Sequence, residues 1–190
     1  MSILFALTAV LILALSCFFG VEYARFQKQR SAWLALAAEL NLQAAFSGFH
    51  QTHLTGEIRG YPVSIEASMR SGDQHTRILI PMVNPNNKKL SLSSVPPSGP
   101  DVQDLSLVKH VLDPVLAYSN DMIFSSLVLT PAVKEQANLV FASPEAGMVQ
   151  IKGEAVSYES EEFPETADAI IQLAPIVELM CRMKDSLKFK

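Results

Sequence analysis

The first hydrophobic block of the chain, Ile3 to Val21, contains no charged residue and is interrupted by hydroxyls only at Thr8 and Ser16. Such hydroxyls bond back to a helical backbone, so the segment can satisfy its own polar groups in lipid. At about 1.5 Å per residue its length matches the ~30 Å hydrocarbon core of a bilayer. The pattern therefore predicts a single transmembrane helix over about 3–21. Neither glycine nor proline occurs between Val21 and Phe46, and Trp33, Leu36, Ala37 and Leu40 recur at helical spacing. The helix is thus expected to continue as an amphipathic stalk to about Leu42, with Trp33 packed into the domain that follows.

After a loop around Gly48 the period changes to two. Alternation predicts strands over His53–Arg59, Tyr61–Met69, Thr76–Val83 and Lys89–Ser94. Arg59-Gly60, Ser71-Gly72-Asp73 and Asn84-Pro85-Asn86-Asn87 supply turns short enough for an antiparallel meander. Val95 to Pro100 is an irregular loop, because its prolines cannot join a ladder. Val108, Val111, Leu112 and Val115 outline a short helical patch broken at Pro114, and Asp121–Leu129 reads as a further strand. Thr130-Pro131 is a helix start, with threonine as the cap and proline at the first helical position. Residues 147–153 and 154–160 form a last hairpin. A final helix over about 164–187 carries Ile170, Leu173, Ala174, Val177, Met180 and Met183 as an apolar stripe and is expected to kink at Pro175. The fold class expected from this order is α+β: a single N-terminal transmembrane helix, then a mostly antiparallel sheet with helices packed on one face. Residues 1–30 would form the anchor and its basic neck, and residues 31–190 a soluble domain.

Charge orients the anchor. A cleaved secretory signal needs basic residues before its apolar stretch, and Met1-Ser2 has none. Ala14-Leu15-Ser16-Cys17 lacks the leucine of a lipoprotein signal, and apolar residues continue past Cys17. A retained anchor is left, and Arg25, Lys28 and Arg30 after the span, against no basic residue before it, set the C-terminal domain in the cytoplasm by the positive-inside rule. The localisation expected is therefore a bacterial inner membrane, crossed once. With Cys17 placed in the bilayer and Cys181 near the C-terminus, no intramolecular disulfide is expected. The formal net charge is −4, and the part beyond the basic neck is more acidic still. An acidic domain without a basic stripe excludes nucleic acid as a partner, since phosphate counterion release supplies most non-specific affinity.

The set Trp33-x-x-Leu36-Ala37-x-x-Leu40-x-Leu42, Leu54-x-Gly56-x3-Gly60-x-Pro62-Val63 and Leu129-Thr130-Pro131 resembles a loose group of uncharacterised bacterial proteins. These combine an N-terminal membrane helix with a small α+β domain. The resemblance is carried by packing and turn residues across most of 31–190, and it implies that architecture but no activity.

Candidate chemistry is sparse. Ser106-x-x-Lys109 matches a serine-nucleophile pattern, but the Lys-Thr-Gly strand that accompanies it is absent. His50 and His53 lack the i, i+4 spacing of a helical zinc site, and only Glu57 is near enough to join them. No catalytic residue, metal or cofactor is therefore assigned. Glu159, Glu161, Glu162 and Glu165 form an acidic run with no intervening base, a candidate docking patch for a basic partner. The function expected is a non-enzymatic protein-interaction domain, an accessory or scaffold subunit of a membrane complex. The alternative is a domain that encloses a pocket for a small or apolar ligand, or a small enzyme with an unrecognised site.

Overall fold

The computed structural model describes residues 2–48, 51–70, 73–84, 86–96, 104–108, 115–142 and 147–188, without the side chains at 2–10, 12, 14, 70 and 73. Helix α1 runs from Ser2 to Glu39. It ends where Asn41 takes a positive φ of 54°, a conformation asparagine tolerates at helix C-termini. The chain then turns into strand β1, Leu42–Phe46, where the sequence pattern placed only the helix end and a loop.

Among the described residues, no helix is long and apolar enough to cross a membrane. This overturns the expected single span, and with it the inner-membrane location, the membrane partner and complex, and the resemblance built on an anchored architecture. The expected span falls in part on positions whose side chains lie outside those described. Along the middle of the helix Glu22, Arg25, Lys28 and Arg30 bring charge into successive turns. Farther along, α1 is committed to the protein interior: Ala32, Trp33, Leu36 and Ala37 are buried in the common core.

Among the described residues the sheet has nine strands, in the order β1-β2-β3-β4-β9-β8-β5-β7-β6. After β1 come β2 (Gln51–Ile58), β3 (Tyr61–Arg70), β4 (Asp73–Pro81), β5 (Leu90–Ser93), β6 (Ser106–Leu107) and β7 (Leu116–Ser119). The hairpin β8 (Met148–Lys152) and β9 (Ala155–Ser160) inserts between β4 and β5. Every pairing is antiparallel. The turn between β2 and β3 is the expected Arg59-Gly60, and both residues have positive φ, 54° and 77°, as a two-residue hairpin turn requires. Gly56 answers a different demand. A Cβ there would meet Leu42 Cδ2 at 2.8 Å, so the glycine lets β1 lie against β2.

Register sorts the two faces. Leu54, Ile65, Ile78, Tyr158, Val149, Leu92 and Ala117 pair in one row across seven strands, and all are buried. Because side chains alternate along a strand, the row one residue on, Ser64, Leu79, Ser157, Gln150, Ser91 and Tyr118, faces the opposite side and is mostly polar.

Helices α2 (Met122–Val128), α3 (Pro131–Val140), α4 (Ala167–Ile171) and α5 (Leu173–Asp185) complete the fold. Helix α5 packs on β4 and β9, α3 packs on α5, and α1 packs on α4 and β1. The segment expected as a strand over Asp121–Leu129 is helix α2. The Asp121 carboxylate accepts the Phe124 N–H at 2.8 Å and pairs with Lys88, which fixes a helix N-terminus where a short apolar run alone reads equally as a strand. Thr130 caps α3 as expected, accepting the Val133 N–H at 3.3 Å. The single C-terminal helix is instead two, because Pro175 has no N–H for the Ile171 carbonyl, and the chain breaks between α4 and α5 at Gln172. The helical patch expected from Val108 to Val115 falls mostly on residues outside those described.

Candidate functional site: an aromatic groove beside a one-chain strap

Along its middle turns α1 stands off from the domain and leaves a groove of about 750 Å³, lined by Phe18, Phe19, Tyr23, Phe26, Met69 and Phe163 with Glu22, Arg25, Gln29 and Glu165 at its polar margin. Helical spacing explains the helix side. Phe18, Phe19, Glu22, Arg25, Phe26 and Gln29 recur every three or four residues on the stripe that Trp33 and Leu36 continue into the core. Phe18 and Phe19 meet edge to face, with ring centroids 6.0 Å apart and planes at 75°. They are 61% and 65% exposed, unusually open for adjacent phenylalanines. At the margin Arg25 pairs with Glu22 at 3.4 Å.

The opposite wall is the segment that joins β9 to α4. Its pairing with β4 ends at Ser160, and beyond that it is held by side chains. Thr76 Oγ1 donates to the Glu162 carbonyl at 2.7 Å, and Gln29 Nε2 donates to the Glu165 carbonyl at 2.9 Å. Phe163 and Glu165 line the groove, whereas Glu162 and Pro164 line a second cleft of about 460 Å³ with Leu139, Val140, Ala142, Ala169, Leu173 and Ile176. This strap is therefore one extended chain thick, with alternate side chains turned to opposite hollows. A third cleft, of about 660 Å³, lies over the polar sheet face and includes Glu66, His75, Arg77, Glu159, Glu161 and Glu162.

The chain shares its fold with a mycobacterial transport factor. The crystal structure of the mycobacterial trehalose monomycolate transport factor A matches it with a TM-score of 0.57 at 15% identity, over 86% of this chain and 94% of that one. At that identity the likeness shows the fold alone. No family model matches the sequence, and no curated protein matches it.

The residues singled out from the sequence fall into separate places. Glu159, Glu161 and Glu162 border the polar-face cleft, where Glu159 pairs with Arg77 at 3.3 Å, while Glu165 lies across the strap on the aromatic groove. The acidic run thus borders two hollows. Of the basic neck, Arg25 lines the groove, Arg30 sets its guanidinium 5.1 Å from the Phe46 ring centroid, and the Lys28 carbonyl accepts from Ser31 Oγ at 2.8 Å. His53 Nε2 lies 3.1 Å from Ser64 Oγ, and His50 and Lys109 are outside the described residues. Among the described residues no group of three His, Cys, Asp or Glu could hold a metal.

Sequence reasoning missed the groove because Phe18 and Phe19 fall in the stretch it gives to lipid. It also missed a charged clamp at the β2–β3 turn. There Arg59 reaches Glu178 at 2.6 Å and Asp185 at 3.4 Å, Tyr61 donates to Asp185 at 2.5 Å, and the Lys184 and Lys188 ammonium groups each sit 4.0 Å from the Tyr61 ring centroid. Burial, followed by the hydrogen bond to Asp185, raises the Tyr61 phenol above its ordinary value. The clamp ties α5 to the hairpin and encloses no cavity among those described.

Proposed function

We propose that this chain is a binding domain whose aromatic groove holds the apolar part of a small amphiphile. The observation that carries the reading is the groove itself, about 750 Å³ walled by four phenylalanines, a tyrosine and a methionine. Its size lies within the roughly 300–1,000 Å³ of ordinary ligand pockets, and the combination of an apolar wall with a few polar groups at one margin is their usual composition. The fold held in common with a trehalose monomycolate transport factor supports a ligand-handling role over a purely structural one. The test is titration with 11-(dansylamino)undecanoic acid. Saturable binding at one equivalent is expected, with at least tenfold weaker binding in Phe19→Glu, whose exposed ring makes that variant tolerable to the fold. Absence of saturable binding, or equal binding by Phe19→Glu, removes the reading.

A second reading rests on the cleft over the polar sheet face, where Glu66, Glu161 and Glu162 stand beside an Arg77 already paired with Glu159. It makes the domain an accessory module that accepts a basic segment of a partner protein. Salt-sensitive binding of a lysine-rich peptide, lost in Glu161→Lys with Glu162→Lys, is the outcome expected of it. Binding unaffected by those changes excludes this surface.

A further inference from the structure

The cleft of about 460 Å³ beside α3 and α5 has no lining residue in common with the aromatic groove. Its walls are apolar, from Val140 on α3, Ala169 on α4 and Leu173 and Ile176 on α5, and Leu139 and Ala142 are exposed at its mouth. The sheet supplies the polar side. Thr76 on β4 and Ser160 on β9 are register partners, and Tyr158 lies two residues before Ser160 on the same face of β9. We infer that this cleft is a separate binding site for a small neutral molecule with an apolar body and one carbonyl or hydroxyl oxygen, and that the Tyr158 phenol donates the hydrogen bond that orients it.

The state of the three hydroxyls carries the inference. Thr76 Oγ1 is spent as a donor on the Glu162 carbonyl at 2.7 Å. Ser160 Oγ accepts the Glu162 N–H at 3.2 Å and acts on the phenol as a donor, the sense in which it lowers the Tyr158 pKa. The Tyr158 oxygen also accepts the Gly147 N–H at 3.4 Å, and among the described residues none takes the phenol's own hydrogen. Yet Tyr158 is only 5% exposed and lines the cleft. Burial, the largest influence on it, raises the phenol above its ordinary value, so the hydrogen is in place at neutral pH. A buried donor without an acceptor is costly, and a ligand oxygen removes that cost. The charge of the ligand follows from the lining, which includes no cation and one carboxylate, the exposed Glu162. An anionic head would enter beside a like charge with no counterion, and an ammonium head has no lone pair with which to accept from the phenol. The volume lies within the roughly 300–1,000 Å³ of ordinary ligand pockets.

The probe is 2-nonanone, titrated by calorimetry into the full chain carrying Phe19→Glu, so that the aromatic groove is disabled and neither site's result stands in for the other's. One saturable site is expected. Adding Tyr158→Phe, which keeps the ring and removes the hydroxyl, should weaken binding about fivefold, the loss of one neutral hydrogen bond. Adding Ala142→Phe instead narrows the mouth from an exposed position and should also weaken binding, which keeps the test intact should Tyr158→Phe fail to fold. Nonanoate, of the same length but anionic, should bind roughly tenfold more weakly than the ketone. The inference is overturned if 2-nonanone does not saturate, if its affinity is unchanged by Tyr158→Phe or by Ala142→Phe, or if nonanoate binds as tightly. Each of these results leaves the groove reading to its own test with the dansyl acid.

Discussion

Asp121 has two roles in the space of one carboxyl group: it pairs with Lys88, and it caps α2 by accepting the Phe124 N–H. The hydrogen bond from Lys88, followed by the one from the Phe124 N–H, holds its pKa below the ordinary 3.8. A depressed folded-state pKa means stabilisation that is fully present above the unfolded value and is lost as pH falls through the folded one. Asp121→Asn keeps a capping oxygen but not the charge, so its urea midpoint should lie below that of the unmodified chain at neutral pH. The gap should close only below about pH 4. A gap that persists unchanged to pH 2 would mean that the charge is not its source. The two cysteines offer a second contrast. Cys17 is exposed, while Cys181 is buried and its thiol is pushed up to about 11 by desolvation. Since the thiolate is the reactive form, a disulfide exchange reagent at pH 8 should titrate one thiol quickly and the second only on unfolding. Two fast thiols would contradict the burial of α5.

At the level of elements, local chemistry and long-range packing divided the outcome. Thr130-Pro131 was readable as a helix start because cap and N1 proline act within three residues, and the structure places the bond there. Thr130→Ala should cost about 1 kcal/mol, measured by denaturant unfolding, within the usual range for such caps. An unchanged midpoint would show that α3 is held by α5 alone. The segment Met122–Val128 failed the same reading, because its apolar run has no period and its deciding partner, Lys88, is far away in sequence. Strand β1 was hidden for a similar reason. Leu42-Gln-Ala-Ala-Phe46 carries no strand signal of its own and becomes a strand by pairing with β2 where Gly56 admits it.

For the whole molecule, the docking of α1 decides whether the groove exists. Trp33 is 2% exposed and Leu36 fully buried, so the C-terminal turns of the helix belong to the core while its middle turns form a wall. Trp33 is the only tryptophan, which makes emission a direct measure: the folded chain should emit at short wavelength and resist acrylamide. Leu36→Ala should lower stability by about 2–5 kcal/mol, and where the fold survives it should also loosen the groove. Emission typical of a solvated indole would detach α1 from the sheet and remove the groove's wall.

What the sequence determined by itself was whatever repeats or acts over a few residues. The period of two placed β2, β3, β4 and the β8–β9 hairpin, the helical stripe of Trp33, Leu36 and Ala37 foretold their burial, and Arg59-Gly60 set a hairpin turn. Hydropathy could not say what would cover an apolar surface, since lipid, a protein core and a ligand groove all accept the same side chains. Tertiary structure decided that. It laid the middle of α1 beside Met69 and Phe163, and it divided Glu165 from Glu159, Glu161 and Glu162 across a strap one chain thick. These juxtapositions join residues distant in sequence through the insertion of β8 and β9 between β4 and β5, an order that no local pattern encodes.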